Sequence, residues 1–313
     1  MFRKLQEIDM MSKPITSTAA LLSLVLGGTG LLSACSSAEQ QDNQAAPVNK
    51  IVHNTEEGEA IKAVRLFRSE VGAIAFDAVD KLPAAPASAA SQSECSSFVQ
   101  KPKSAAARKV AAAGWAVTAE GHIGAYQAVS FAGAFEPATS GSCDISKGNI
   151  ALFEGDRIRA IAYVPAGQKA SIGQIMRLGE EGLRIWDGDV APVPVADMLP
   201  DTDGLVTIVK LADQEEVCGG KAFVPNIYGM PIEKARNVLA KANWRPVSHG
   251  DAASRSDGRE ANLANSGVVE VDSCSGTGFG YCGFDYKNGG IGLGVTTIGD
   301  DPSVSSYAAS CGG

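Results

Sequence analysis

The residue types able to do covalent or acid–base chemistry in this chain are few: seven cysteines and three histidines. His53 and His249 both fall in polar stretches, and His122 lies between them. A serine or cysteine nucleophile needs a base within hydrogen-bond reach and a third group to orient that base. No Gly-x-Ser-x-Gly turn is present, and a cysteine route needs an unpaired thiol. Zinc is not suggested by the cysteine spacing, because the closest pair, Cys274 and Cys282, has neither a second pair nor a histidine beside it. Gly278-Phe279-Gly280-Tyr281-Cys282-Gly283 fits the spacing of a dinucleotide glycine fingerprint but lacks the flanking strand, helix and acidic residue, so a disulfide-closed turn is expected. Asp201-Thr202-Asp203-Gly204 begins like a calcium loop, yet Ala212 stands where the bidentate glutamate belongs, so an ordinary turn is expected. No catalytic residue, cofactor or metal site is expected.

Cys35 has a different setting. Lys13 is followed by an apolar stretch over 15–32, then Leu32-Ser33-Ala34-Cys35, then a polar run over 36–49. A positive start, a short apolar core and small residues before a cut describe a secretory signal. Ser23, Gly27, Gly28, Thr29 and Gly30 interrupt the apolar part, which makes it a poor match to a membrane span. Leu-Ser-Ala-Cys resembles the bacterial lipobox, and that resemblance implies diacylglycerol on the Cys35 thiol, cleavage before it and acylation (such as palmitate) of the new amine. Glu7 and Asp9 are unusual in a positive leader, which favours Met10 or Met11 as the start. Ser36 stands where inner-membrane lipoproteins tend to carry aspartate, so the expected address is the outer membrane, facing the periplasm. Several acyl chains on one residue give firm anchoring, since each buried methylene contributes about 0.8 kcal/mol.

With Cys35 consumed by lipid, Cys95, Cys143, Cys218, Cys274, Cys282 and Cys311 remain, an even set that implies three bridges in an oxidising compartment. Six cysteines allow about fifteen pairings. The favoured set joins Cys274 to Cys282 as a local loop closure, Cys95 to Cys143 within the middle of the chain, and Cys218 to Cys311 across the ends of the last domain.

The chain of 313 residues is long enough for two ordinary domains plus tails. Its net charge of −8, with no run of Lys or Arg, argues against nucleic acid as a partner. Residues 1–35 are the signal and its acylated cysteine, and 36–93 are expected to form a flexible tether and linker. Within that tether, Ile61, Val64, Leu66, Phe67, Val71, Ile74, Ala75, Ala78 and Val79 recur at helical spacing, predicting a helix over 55–82. Pro83-Ala84-Ala85-Pro86-Ala87-Ser88-Ala89-Ala90 then reads as a linker without secondary structure.

Residues 94–219 open with an alanine-rich helix over 104–113, stopped by Gly114, and turn to strands: 115–118, 127–135, 150–153, 158–164, 175–178, 183–186 and 205–211. Short strands with tight turns between them predict an antiparallel sheet or small barrel. Residues 220–313 begin with Phe223-Val224-Pro225-Asn226-Ile227-Tyr228-Gly229-Met230 and a helix over 231–242. On that helix Ile232, Ala235, Val238, Leu239 and Ala242 share one face, with Glu233, Lys234, Arg236, Asn237 and Lys241 opposite. Trp244-Arg245-Pro246-Val247 returns as a strand. This string of about 25 residues resembles the opening of a PASTA domain; a long polar stretch over 248–266 and the later cysteines depart from that family. Three further strands are expected, around Val268-Val269-Glu270-Val271, Cys274–Gly278 and Gly292–Gly299. The fold class expected for the whole chain is α+β.

The PASTA resemblance implies muropeptide stems, peptidoglycan strands or β-lactam rings as ligand, or an envelope protein as partner. Arg236 and Lys241 would then meet stem carboxylates, and Trp244 would stack on a sugar. The alternative is that Trp244 packs the helix onto its sheet and the charges are solvated. The expected function is non-catalytic binding in the cell envelope; an accessory enzyme or inhibitor of wall material, acting through the middle domain, is the competing class.

Overall fold

The computed structural model describes residues 66–250, 258–276 and 278–312. The signal, Cys35 and the tether up to residue 65 lie outside them, as does His53. No helix among the described residues is long and apolar enough to cross a membrane.

Nineteen strands and three α-helices make up the described fold. The N-terminal lobe contains β1 (Phe67–Ser69), β2 (Ala75–Ala78), α1 (Ala105–Ala112), β3 (Ala116–Ile123), β4 (Tyr126–Ala132), β5 (Ala134–Pro137) and β6 (Cys143–Ser146). It continues through β7 (Asn149–Glu154), β8 (Arg157–Tyr163), β9 (Gln174–Leu178), β10 (Gly182–Trp186), β11 (Pro194–Pro200) and β12 (Val206–Val209). The C-terminal lobe contains β13 (Gln214–Val217), β14 (Ala222–Pro225), α2 (Ile232–Lys241), β15 (Arg245–Pro246), α3 (Arg259–Asn265), β16 (Val271–Cys274), β17 (Cys282–Asn288), β18 (Ile291–Ile298) and β19 (Ser303–Cys311). The chain is thus a strand-rich α+β protein.

Two five-stranded sheets face each other in the N-terminal lobe, in the orders β1-β12-β11-β10-β9 and β2-β8-β7-β4-β3. All pairings are antiparallel except β1 with β12. Strand alternation sends Leu183, Ile185, Ala196, Met198, Val206 and Ile208 from one sheet and Ala128, Ile150, Leu152, Ala160 and Ala162 from the other into the core between them. Both edges are drawn together. The chain passes directly from β1 to β2 at one, and at the other the Ile175 N–H donates to the Ser130 hydroxyl at 3.3 Å.

The outer face of the second sheet carries Val117, Val129, Phe131, Ala151 and Phe153, covered by Ala106, Ala107 and Val110 of α1 and by Trp115. Helix α1 starts as its sequence dictates: the Ser104 hydroxyl accepts from Ala107 N at 3.0 Å, and Glu120 accepts from Lys103 N and Ser104 N at 2.7 and 2.9 Å. Gly114, at φ +90°, takes the chain out of it. A third layer, around the Cys95–Cys143 bridge, gathers Ala116, Ala132, Phe135 and Ile145.

Two expectations change here. The helix over 55–82 does not extend past Leu66: Phe67–Ser69 and Ala75–Ala78 are strands, joined by a turn in which the Ser69 hydroxyl accepts from Val71 N at 3.2 Å. Phe67 and Ile74 are buried in the main core, so this stretch is a folded edge of the lobe. The linker over 83–90 is packed as well: Trp115 Nε1 donates to the Pro83 carbonyl at 2.9 Å, Ala89 is buried, and Ala87–Ala90 forms a 3₁₀ turn. Ahead of residue 94, β1 and β2 already pack into the first lobe, and ahead of residue 220, β13 pairs with β14 of the second.

In the C-terminal lobe, β15-β17-β18-β19, with β16 beside β17, form one antiparallel sheet. Ile232, Ala235 and Leu239 of α2 pack onto Phe284, Tyr286, Leu293 and Val295. The expected amphipathic face is the one that is buried. The bridges Cys218–Cys311 and Cys274–Cys282 both form, the first closing β13 against the end of β19. Inside the polar stretch over 248–266, α3 was not foreseen.

Candidate binding cleft

The outer face of β10 presents Arg184 and Trp186, two residues apart and hence on the same side. Leu183 and Ile185 point the other way, into the core. Arg184 is almost wholly buried, and its guanidinium donates to both carboxylate oxygens of Asp197 on β11, at 2.8 and 3.0 Å. It also donates to Glu215 of β13 at 2.6 Å, and so spans the two lobes. The Tyr307 hydroxyl of β19 donates to the same Glu215 oxygen at 2.9 Å. Tyr228 lies 4.4 Å from Tyr307, ring to ring, and 5.7 Å from the Arg184 guanidinium carbon.

The electrostatics follow from this packing. Burial opposes the charge on Arg184, but the hydrogen bonds it donates to Asp197 and Glu215, with their negative charges, outweigh it and hold the guanidinium above its ordinary value. Burial, then the charge of Glu215, pushes the Tyr307 and Tyr228 phenols up.

Beside this network the lobes leave a cleft of about 250 Å³. Gln174, Met176 and Trp186 line it from the first lobe, with Tyr281, Thr296 and Ser305 from the second. A bulge on β19 shapes it: Ser305 is the extra residue where Thr296 pairs with Ser306 but Thr297 pairs with Val304. Bulges re-aim side chains out of strand alternation. The Trp186 ring meets Tyr228 edge-on at 5.9 Å, while its buried Nε1–H has no acceptor. Met176 and Tyr281 are among the few large apolar side chains left exposed in the described residues. Every lining residue is uncharged.

A wider groove of about 1310 Å³ runs along β8 and the turn after β2. Its lining is charged, with Asp77, Asp80, Lys81 and Arg157 beside the pair Lys109–Asp156 at 3.5 Å and Arg159, which meets Glu154 at 2.6 Å.

The residues singled out from the sequence lie elsewhere. Trp244 is fully buried and its Nε1 donates to the Phe223 carbonyl at 2.9 Å, so it packs the helix against the sheet and presents no face to a sugar. Arg236 is bonded to the buried Glu270 and donates to the Gly267 carbonyl at 2.9 Å, so its charge is spent inside the lobe. Lys241 is exposed at the end of α2. These three do not form a site. Asp201 makes an ordinary turn, its carboxylate accepting from Asp203 N and Leu205 N at 2.9 and 2.8 Å. Gly278 and Gly280 lie in the turn closed by the Cys274–Cys282 bridge, Gly280 at φ +64°, while Gly283 lies in β17. His122 is exposed on β3. Among the described residues, His249, Asp272 and Asp285 form a group able to hold a metal ion.

Sequence reasoning missed the cleft. The alternation Leu183-Arg184-Ile185-Trp186 was the available signal, since an arginine and a tryptophan facing away from the core need a partner surface.

Comparison with protein-family models, with curated proteins and with solved structures finds no match for this chain.

Proposed function

We propose that this chain is an exported envelope lipoprotein, held by acylated Cys35 in the outer membrane, that binds the glycan of peptidoglycan without turning it over. The observation that carries the reading is the cleft between the lobes, with an aromatic wall and neutral hydroxyl and amide groups. Sugar rings offer apolar C–H faces to aromatic side chains and hydroxyl or acetamido oxygens to N–H donors. A charged peptide stem would find no counter-ion there. Clefts at lobe junctions are common ligand sites, and the Arg184 network fixes this one in shape before any ligand arrives.

The reading shifts the binding surface from the PASTA-like helix to the junction. The PASTA resemblance itself rests on residues 223–247 and supports the envelope setting.

Trp115 and Trp244 are buried, so Trp186 is the tryptophan whose fluorescence should report the cleft. Titration with chitooligosaccharides should shift emission, and purified sacculi should sediment with the protein. Trp186→Ala and Tyr281→Ala should abolish both while Lys241→Ala leaves both unchanged. Sedimentation with sacculi that persists in the Trp186 and Tyr281 variants would remove the cleft from the function.

A further inference from the structure

His249, Asp272 and Asp285 come from three neighbouring segments of the C-terminal lobe and share no residue with the cleft. Backbone bonds lace those segments together: Val247 N donates to the Asp285 carbonyl at 2.8 Å, and Asp285 N to the Glu270 carbonyl at 3.0 Å. His249 N reaches the Val269 carbonyl at 3.4 Å. Asp272 holds a special place in this ladder. Val271 pairs with Phe284 and Ser273 with Gly283, which leaves Asp272 as the extra residue of a bulge. The bulge releases its side chain from strand alternation. The carboxylate then stands 3.5 Å from His249 Nδ1, while Asp285 Oδ2 stands 3.0 Å from Nε2. One ligand atom from each of the three residues lies within 4.8 Å of the other two.

The geometry points to a divalent-cation site formed by His249, Asp272 and Asp285. With a neutral imidazole the trio carries two carboxylate charges, which a dication cancels and a monocation does not. One imidazole nitrogen with two carboxylate oxygens is a mixed donor set, suited to Zn²⁺ or Mn²⁺ over soft cations that prefer thiolate. Zinc holds such atoms at roughly 2.0–2.2 Å, so they sit about 3.5 Å apart around it. Asp285 faces Nε2 and Asp272 faces Nδ1, so a single cation takes one imidazole nitrogen and the carboxylate beside the other must turn towards it; the imidazole is partly exposed and both carboxylates are more so. Three protein ligands leave a position open to water or to an anionic group of a partner.

The test uses the full chain in detergent, stripped with a chelator and titrated with Zn²⁺ or Mn²⁺ by calorimetry. One equivalent should bind, and His249→Ala or Asp285→Asn should weaken binding about a hundredfold or more. The three histidines give separate imidazole nitrogen resonances, so wild-type spectra decide the matter even where a variant fails to fold. The His249 signal should move with one equivalent of Zn²⁺ while those of His53 and His122 stay. Absence of saturable binding, wild-type affinity in a folded variant, or an unmoved His249 signal overturns the site.

Discussion

Arg184 of the N-terminal lobe and Glu215 of the C-terminal lobe meet at 2.6 Å, and each is also held by a second partner, Asp197 and Tyr307 respectively. A buried pair of this kind is costly to break, because one charge is left in a dry place without its counterpart. Arg184→Met should therefore lower stability by about 3–5 kcal/mol in denaturant melts. It should also split unfolding into separate steps for the two lobes. A single transition with an unchanged midpoint would show that the lobes are held by something else.

The raised phenols of Tyr307 and Tyr286 predict an alkaline limit. Tyr286, buried and donating to Glu270 at 2.9 Å, is pushed up by burial first and by that carboxylate second. A phenol whose folded value exceeds the unfolded value of about 10 contributes stability that is full below that pH. The contribution is lost as pH climbs from there toward the folded value. Melting temperature should fall above that point, and Tyr286→Phe with Tyr307→Phe should flatten the fall. The double variant should also lose about 1–3 kcal/mol at neutral pH, from carboxylates that each lose one donor and keep only their arginine.

The bridges should differ in worth by the length of chain they close. Cys218–Cys311 spans 93 positions and Cys274–Cys282 spans 8. Loop-closure entropy assigns them about 4.6 and about 2.5 kcal/mol. Serine pairs at each bridge, compared by denaturant midpoint, should rank in that order; equal losses would mean that strain or residual structure in the unfolded chain dominates.

Gly148 and Gly188 are held to their type by neighbouring backbone. A Cβ on Gly148 would overlap the Ile172 carbonyl, and one on Gly188 the Ile145 carbonyl. Alanine at either position should cost about 1–3 kcal/mol or more, while alanine at Gly72, where nothing lies near, should be well tolerated. Thermal melts of the three variants separate these outcomes.

Much of the local architecture was legible in the residues. Ser104 and Gly114 bracket α1, the apolar stripe on 231–242 is the buried face of α2, and the three favoured bridges are those that form. What failed was short or nonlocal. Strands β1 and β2 have only three and four residues, too few to display alternation, and Phe67, Val71, Ile74 and Ala75 suit a helical period equally well. Their strand character comes from pairing with β12 and β8, far along the chain. Trp244 was legible as core or as ligand, and its acceptor, the Phe223 carbonyl, decided between them. The junction was hidden for the same reason. Nothing near Arg184 in sequence announces Glu215, Tyr228 or Tyr307.

The bond between Cys218 and Cys311 makes the C-terminal lobe a covalent ring. A protease that severs one peptide link anywhere inside it produces two ends but a single molecule, with both pieces still tied to the rest of the chain. Release of a fragment into the surroundings then demands two cuts, or one cut and a reductant.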